Sequence, residues 1–210
     1  MPKKDGSRPS LKDLLVAKQQ GVKIDLGGGA NPQPGFLNLD IRDLPQVDVV
    51  HNLELFPWPL PDECATLVMA SHLLEHISPA PPDARLPALV RLLLEKKLIT
   101  EKEITQYIGE VAPGPLFMRF MDEVWRVLKP GGQLMAAFPF AGSPGFWQDP
   151  THVNGITHHT LAYFDPLEAG GYLYKIYKPK PWAIKLSGFQ VQGNMEVVLE
   201  KRLMDKSYLV

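Results

Sequence analysis

Val22-Lys23-Ile24-Asp25-Leu26-Gly27-Gly28-Gly29-Ala30-Asn31 is an apolar run that breaks into three glycines, and Phe36-Leu37-Asn38-Leu39-Asp40 is a second run ending in a carboxylate. The first has the pattern of a buried strand that ends in a loop approaching a ligand at backbone distance, where a side chain would be in the way. If the two strands are parallel neighbours, Asp40 stands at the tip of the second, beside the glycine loop. The loop then cradles while the carboxylate accepts from hydroxyls, which suits a ribose-bearing ligand lying across the carboxyl ends of a parallel sheet.

The loop excludes two other nucleotide motifs. A P-loop needs Lys and Ser or Thr after its last glycine, and here Ala30-Asn31-Pro32 follows. A dinucleotide fingerprint needs a glycine three residues after its second. Pro32 occupies that place if Gly29 is the second, and Asp40 follows Gly29 by 11 residues, well short of the usual ~20. A plain glycine-rich hairpin accounts for neither Asp25 nor Asp40.

Asp25-Leu26-Gly27-Gly28-Gly29 resembles the first motif of class I S-adenosylmethionine-dependent methyltransferases, and Gly35-Phe36-Leu37-Asn38-Leu39-Asp40-Ile41 resembles the second motif of a small bacterial-type branch, the type 11-like enzymes. The resemblance implies an α/β, Rossmann-like, mostly parallel seven-stranded sheet with a C-terminal antiparallel hairpin. S-adenosyl-L-methionine would lie across its switch point. By the same resemblance Gly27, Gly28, Gly29 and Asn31 pass under the methionine part, and Asp40, with Ile41 beside it, binds the ribose hydroxyls. Asp25 helps fix the methionyl end. Gly28 stands where the family often has Cys, Ser or Thr, a difference expected to be harmless. The link from Ala30 to Gly35 is too short for the family's usual helix, so a turn around Pro32 and Pro34 is expected, without anion binding by a helix terminus.

With 210 residues, 45% of them apolar, the chain can bury one good core, and a single domain over 1–210 with an insertion is the natural reading. Lys+Arg of 22 against Asp+Glu of 23 removes the global electrostatic argument for nucleic acid or an anionic membrane. One cysteine, Cys64, and an N-terminus Met1-Pro2-Lys3-Lys4-Asp5 without an apolar core behind it read as cytoplasmic. No apolar run approaches the ~20 residues of a spanning helix.

Along the chain, Leu11, Leu14 and Leu15 give a short helical face within 1–20, stopped by Gly21. Val47-Asp48-Val49-Val50 reads as a third strand, after which the resemblance assigns Asn52 and Leu53 to the adenine; His51 reads as a wall residue. Phe56 to Asp62 is a proline-rich turn before a fourth strand, Ala65 to Ala70, and Ser71 and His72 are expected to flank the cofactor. His76 reads as a helix-holding residue. His72 and His76 lie at i, i+4, but no third ligand is identifiable and Glu75 is not placed as in His-Glu-x-x-His, so no metal is expected. Residues 79–115 read as an inserted helical hairpin: Asp83 caps one helix, and Thr100 with Glu103 forms a capping box for the next. A lid or specificity element is one role for it, and a structural or dimer role is equally open.

Phe117, Phe120, Met121, Val124 and Leu128 mark one helix face before Lys129-Pro130-Gly131-Gly132, read as a turn, and a fifth strand from Gln133 to Phe138. The stretch from Arg126 to Gly132 resembles the family's link into that strand. Trp182 to Gln190 and Met195 to Lys201 alternate as a closing hairpin, with Gly193-Asn194 as the turn.

The loop Phe146-Trp147-Gln148-Asp149-Pro150-Thr151-His152-Val153-Asn154 combines polar groups with aromatics and prolines after a strand end, a good composition for a substrate pocket. Methyl transfer from a sulfonium is largely a matter of positioning, and a base is needed only for a poorly acidic acceptor. His152, oriented by Asp149, is the candidate catalytic base, against the alternative that the two simply tie the loop together. Ala70-Ser71-His72-Leu73 lacks the Asn/Asp-Pro-Pro-aromatic sequence of the amino-methylating nucleic-acid enzymes. Tyr172, Tyr174 and Tyr177 interleaved with Lys175, Lys178, Lys180 and Lys185 could bind single strands, though a solvated edge fits this run better. The expected function is methyl transfer to a small molecule or sugar-like metabolite. The competing readings are a catalytically silent cofactor-binding protein and a macromolecular acceptor.

Overall fold

Leu37 and Leu39 on one strand and Ile24 and Leu26 on another are almost wholly shielded from solvent, and Asn38 and Asp40, which alternate with the leucines, are buried too. Burial on both faces is the mark of a central parallel sheet. The computed structural model describes residues 10, 21–79, 93, 96–98, 100, 116–168 and 179–203. Its sheet contains β1 (Val22–Leu26), β2 (Leu37–Asp40), β3 (Val49–Val50), β4 (Ala65–Ser71), β5 (Leu128–Pro139), β6 (Trp182–Phe189) and β7 (Asn194–Lys201). They are ordered β3-β2-β1-β4-β5-β7-β6. The first five strands run parallel, and β7 is antiparallel to both β5 and β6.

The expected mostly parallel sheet with a closing antiparallel hairpin is therefore the fold. Chain order reverses direction across the sheet between β1 and β4, which creates the crevice where such sheets bind ligands. The Leu26–Leu39 register sets the glycine loop beside Asp40.

Three boundaries differ from the sequence reading. Only Val49 and Val50 form β3. Asp48 instead bonds Asn38 both ways, its amide donating to the Asn38 carbonyl at 3.0 Å and its Oδ2 accepting from the Asn38 amide at 2.8 Å. The segment Lys129–Gly132 belongs to β5 and is not a separate turn. Register jumps from Ala65–Leu128 to Leu67–Gln133, so the extra residues are accommodated as an irregularity, with Gly131 supplying a φ of +71° that favours glycine. The hairpin turns at Gln190–Gly193, with Asn194 already in β7.

Helix α1 (Leu116–Val127) covers one face of the sheet through Phe117, Phe120, Met121, Val124 and Val127. Phe120 meets Trp58 edge-on at 5.4 Å between ring centroids. Buried Glu123 accepts from the Trp58 amide at 2.7 Å and from Arg126 Nε at 2.9 Å, while Arg126 also donates to the Leu60 carbonyl at 2.9 Å. The proline-rich turn is thereby pinned to the helix. Trp58 Nε1 in turn donates to the Leu53 carbonyl at 3.0 Å, which carries the packing of the core to the edge of the crevice.

Two short helices follow β5: α2 (Pro144–Trp147) and α3 (His158–Ala162), the second opened by a Thr157–Thr160 capping box. No described helix is long and apolar enough to cross a membrane. The helix expected before Gly21, the inserted hairpin but for isolated positions, and Tyr172, Tyr174, Lys175, Tyr177 and Lys178 lie outside the described residues. Of the remaining lysines in that run, Lys180 lies over the Trp125 ring at 5.5 Å and Lys185 pairs with Glu200 at 3.6 Å.

Candidate functional site

A cavity of about 790 Å³ opens at the carboxyl ends of β1 and β2, within the size range of small-molecule sites. Gly27 and Asp40 floor it, Ile41 and Arg42 follow, and Asn52, Leu53 and Glu54 form the side next to β3. Leu73, His76, Ile77 and Thr151 close the far rim. Five of the residues picked out in the sequence, Gly27, Asp40, Ile41, Asn52 and Leu53, thus share one space.

The glycine loop is built from below. Asp25 is buried, and its Oδ2 accepts the Gln33 amide at 2.8 Å. Burial pushes this carboxyl up from its ordinary value, and the Gln33 bond offsets the shift only in part. Asn38 supports the other side, donating from Nδ2 to the Gly29 carbonyl at 2.9 Å and to the Gln46 carbonyl at 3.0 Å. Asp25 and Gly28 sit under the loop, and neither lines the cavity.

At Gly28 the structure leaves no room for a side chain. A Cβ there would come within 2.7 Å of Asp25 Oδ2 and 2.8 Å of Asn38 Oδ1. Both atoms belong to short buried side chains that are already bonded, so they cannot yield freely. Gly28→Ser is expected to destabilise the fold by about 1–3 kcal/mol, read as a lower denaturation midpoint at unchanged slope.

Asp40 is buried, and four donors meet its two oxygens. The Arg42 amide and Nε reach Oδ1 at 2.8 and 3.1 Å, and the Gly29 amide and the second Arg42 guanidinium nitrogen reach Oδ2 at 3.0 and 3.3 Å. Desolvation raises this carboxyl, but the Arg42 contacts and the Gly29 amide outweigh it and hold the group below the usual carboxylate range. Four donors fill the roughly four lone-pair positions of a carboxylate. A further donor reaches Asp40 only by displacing one of these four, and the Arg42 side chain that supplies two of them is 60% exposed.

The remaining sequence-selected residues are spread out. Asn31 is exposed on the loop. Ser71 lines a separate cavity of about 310 Å³ with Gln33, Met69, Met135 and Glu196. His72, at φ +51°, is half-exposed and outside the main cavity. Asn52 Oδ1 accepts the Glu54 amide at 3.0 Å, shaping its own loop. His51 caps that loop through the Leu55 carbonyl at 2.9 Å.

The Asp149–Asn154 loop docks on a one-turn 3₁₀ helix, Leu74–His76. The Val153 and Asn154 amides both donate to the Glu75 carbonyl at 2.9 Å, and Asn154 Nδ2 donates to the Leu74 carbonyl at 3.1 Å. The Asp149 carboxylate does not hydrogen-bond the His152 ring, its Oδ2 being 3.7 Å from His152 Nε2; the two residues are joined by the His152 amide donating to the Asp149 carbonyl at 3.2 Å. Asp149 Oδ1 instead accepts the Thr151 amide at 2.8 Å and hydroxyl at 2.7 Å, and these bonds, the hydroxyl's foremost, hold the carboxyl below its ordinary range. The atom that orients His152 is the Phe146 carbonyl, 2.8 Å from Nδ1.

His76 does not brace its own helix. Its Nδ1 faces the Thr151 carbonyl and hydroxyl, both at 3.2 Å, and its ring meets that of His152 edge-on at 4.8 Å. Arg42, Leu73, Glu75, His76 and Thr151 thus join the neighbourhood of the site. Arg42 and Thr151 sit close in sequence to selected residues, which is a usable signal; the burial of Glu75 has none.

No protein-family model matches the chain, and no curated protein matches it. Solved structures do resemble it. An S-adenosylmethionine-dependent methyltransferase from Archaeoglobus fulgidus aligns with a TM-score of 0.51 over 94% of this chain and 96% of that one, at 14% identity. One from Methanosarcina mazei gives 0.49 over 87% and 92%, at 12% identity. The 16S rRNA (adenine(1408)-N(1))-methyltransferase of Catenulisporales acidiphilia gives 0.47 over 92% of each chain, at 15% identity. The first likeness shows that this chain shares the Rossmann-like α/β fold of that S-adenosylmethionine-dependent methyltransferase.

Proposed function

We propose that this chain is an enzyme that binds S-adenosyl-L-methionine in the 790 Å³ cavity and transfers its methyl group to a small hydroxyl-bearing or sugar-like acceptor. One observation carries this reading. The glycine loop, a carboxylate at the tip of β2, and a rim bearing His76 and Thr151 all face the same space, so donor and acceptor can meet without leaving it.

In this reading Gly27 lets the backbone approach the methionyl part, and Asp25 and Asn38 hold the loop in shape. Asp40 takes the ribose hydroxyls once Arg42 has moved aside, and Asn52 and Leu53 flank the adenine. The acceptor oxygen attacks the methyl carbon in line, the carbon–sulfur bond breaks, and its electron pair stays on sulfur, which leaves as a thioether. The acceptor's proton goes to an imidazole. His76 stands on the cavity with His152 edge-on behind it, so the base role expected of His152 alone is shared between the two. Near-zero net charge favours a small acceptor over a polyanion, whose binding rests on many cationic contacts.

The test is product formation. Incubating the chain and S-adenosylmethionine with a panel of small hydroxylated acceptors is expected to release S-adenosylhomocysteine. Cofactor binding without release on any acceptor, including RNA, would favour the silent binding protein. His152→Ala is expected to lower turnover about 10²–10⁴-fold while cofactor affinity stays unchanged. Full turnover in that variant would remove His152 from the chemistry.

A further inference from the structure

Glu75 lies beside the cavity with its side chain completely buried, and neither carboxylate oxygen accepts a hydrogen bond among the described residues. A buried carboxylate left in that state is costly unless a cation or a proton reaches it. Its surroundings show which. His152 Nε2 stands 4.0 Å from Glu75 Oε1, and one donor atom from each of Glu75, His76 and His152 falls within 4.8 Å of the others.

The tautomers of both histidines follow from their partners. A backbone carbonyl only accepts, so His152 Nδ1, 2.8 Å from the Phe146 carbonyl, carries its hydrogen. The same holds for His76 Nδ1, 3.2 Å from the Thr151 carbonyl. In its neutral form each ring then has its lone pair on Nε2. An imidazole that gives one N–H to a backbone carbonyl and presents the other nitrogen as a lone pair is the usual outer-shell arrangement of a metal-bound histidine. His152 Nε2 faces Glu75 Oε1 and Asp149 Oδ2 at 4.0 and 3.7 Å, so a cation held between them would meet three donor atoms at once. His72 Nδ1 reaches Glu75 Oε1 at 3.3 Å from the exposed side without a hydrogen-bonding geometry.

We propose that Glu75, His76 and His152 bind a divalent transition-metal ion at the rim of the cavity. Two imidazoles and a carboxylate form a donor set for zinc and its first-row neighbours rather than for magnesium or calcium, which prefer all-oxygen shells. Bonds of about 2.1 Å separate the ligands of a tetrahedral ion by about 3.4 Å, so the donor atoms, which lie within 4.8 Å of one another, close onto an ion by side-chain rotation. The frame is already fixed, because the Val153 and Asn154 amides clamp the histidine loop to the Glu75 carbonyl. Three protein ligands leave a coordination position open, and His76 places the ion next to the cavity. That the open position receives an acceptor oxygen rests on the methyl-transfer reading; the ion site does not. An ion held by both histidines takes up the imidazole lone pairs, so the imidazole base of the proposed methyl transfer belongs to the metal-free protein.

The test uses the full chain, stripped with chelator and titrated with cobalt(II) in the absence of S-adenosylmethionine. One equivalent is expected to bind with visible d–d absorption that zinc(II) abolishes by displacement. His76→Ala and His152→Ala should each weaken cobalt binding at least tenfold, while His158→Ala, a histidine away from the cluster, leaves it unchanged. Glu75→Gln should do the same as the two ligand variants; if it fails to fold, the histidine variants decide. Affinity of the wild type for S-adenosylhomocysteine, measured in parallel, tests the cofactor reading by itself, so a failed cofactor reading is distinguished from a failed metal site. Folded wild type that takes up no cobalt, or uptake that survives both His76→Ala and His152→Ala, overturns the proposal.

Discussion

Replacing Asp40 with alanine is expected to weaken S-adenosylmethionine and S-adenosylhomocysteine binding about 100-fold or more in calorimetric titration. A carboxylate that accepts from two vicinal hydroxyls makes two charge-assisted bonds of about 1.5–3 kcal/mol each, and about 1.4 kcal/mol is a factor of ten. The residue is buried at the tip of β2 and faces the cavity, so water cannot replace it cheaply. Two companion results follow from its surroundings. Arg42→Ala should tighten cofactor binding, because Arg42 competes for both Asp40 oxygens. The pH dependence has a definite sign. The Asp40 carboxyl lies below its ordinary value of 3.8, so it stays ionised and binding is flat from about pH 8 to about pH 5. Affinity is lost only on acidification through the depressed value. Wild-type binding that matches the alanine variant would remove the ribose assignment and with it the cofactor reading of the cavity.

Phe120→Ala is expected to cost about 3–5 kcal/mol of stability. That corresponds to a fall of roughly 10 °C in Tm at about 2–4 °C per kcal/mol for a chain of this size. Phe120 is wholly buried at the centre of α1, and its ring meets Trp58 edge-on at 5.4 Å. The loss should reach function as well as stability. Trp58 Nε1 holds the Leu53 carbonyl, so a cavity left beside Trp58 loosens the Leu53 wall. Cofactor affinity should drop by a smaller factor than in the Asp40 variant. A melting point within a degree or two of wild type would mean that α1 packs by something other than this contact.

The glycine loop and Asp40 were readable from local chemistry. Three glycines after an apolar run announce close backbone approach, and a carboxylate ending a second run lands at a strand tip in any parallel register. The helix face from Phe117 to Val124 and the alternation of the last two strands were readable because periodicity follows from backbone geometry. The extent of β5 was not: Lys129 to Gly132 has turn composition, and only pairing with β4 draws it into the sheet through an irregular register. The crowding at Gly28 was not readable either, because it comes from Asp25 and Asn38 meeting under the loop, and Asn38 lies on the next strand.

The cluster of Glu75, His76 and His152 marks the boundary most clearly. Composition marked His152 and its loop as polar and pocket-like, but the partner chosen for it was its neighbour Asp149. In the fold, the loop is carried across the end of β4 and clamped to the Glu75 carbonyl by two amides. His76 and Thr151 come into contact although 75 residues separate them. Local propensity and period express what a few consecutive residues do to one another. Which distant side chains share a buried space depends on strand order and loop docking, and those are properties of the packed whole.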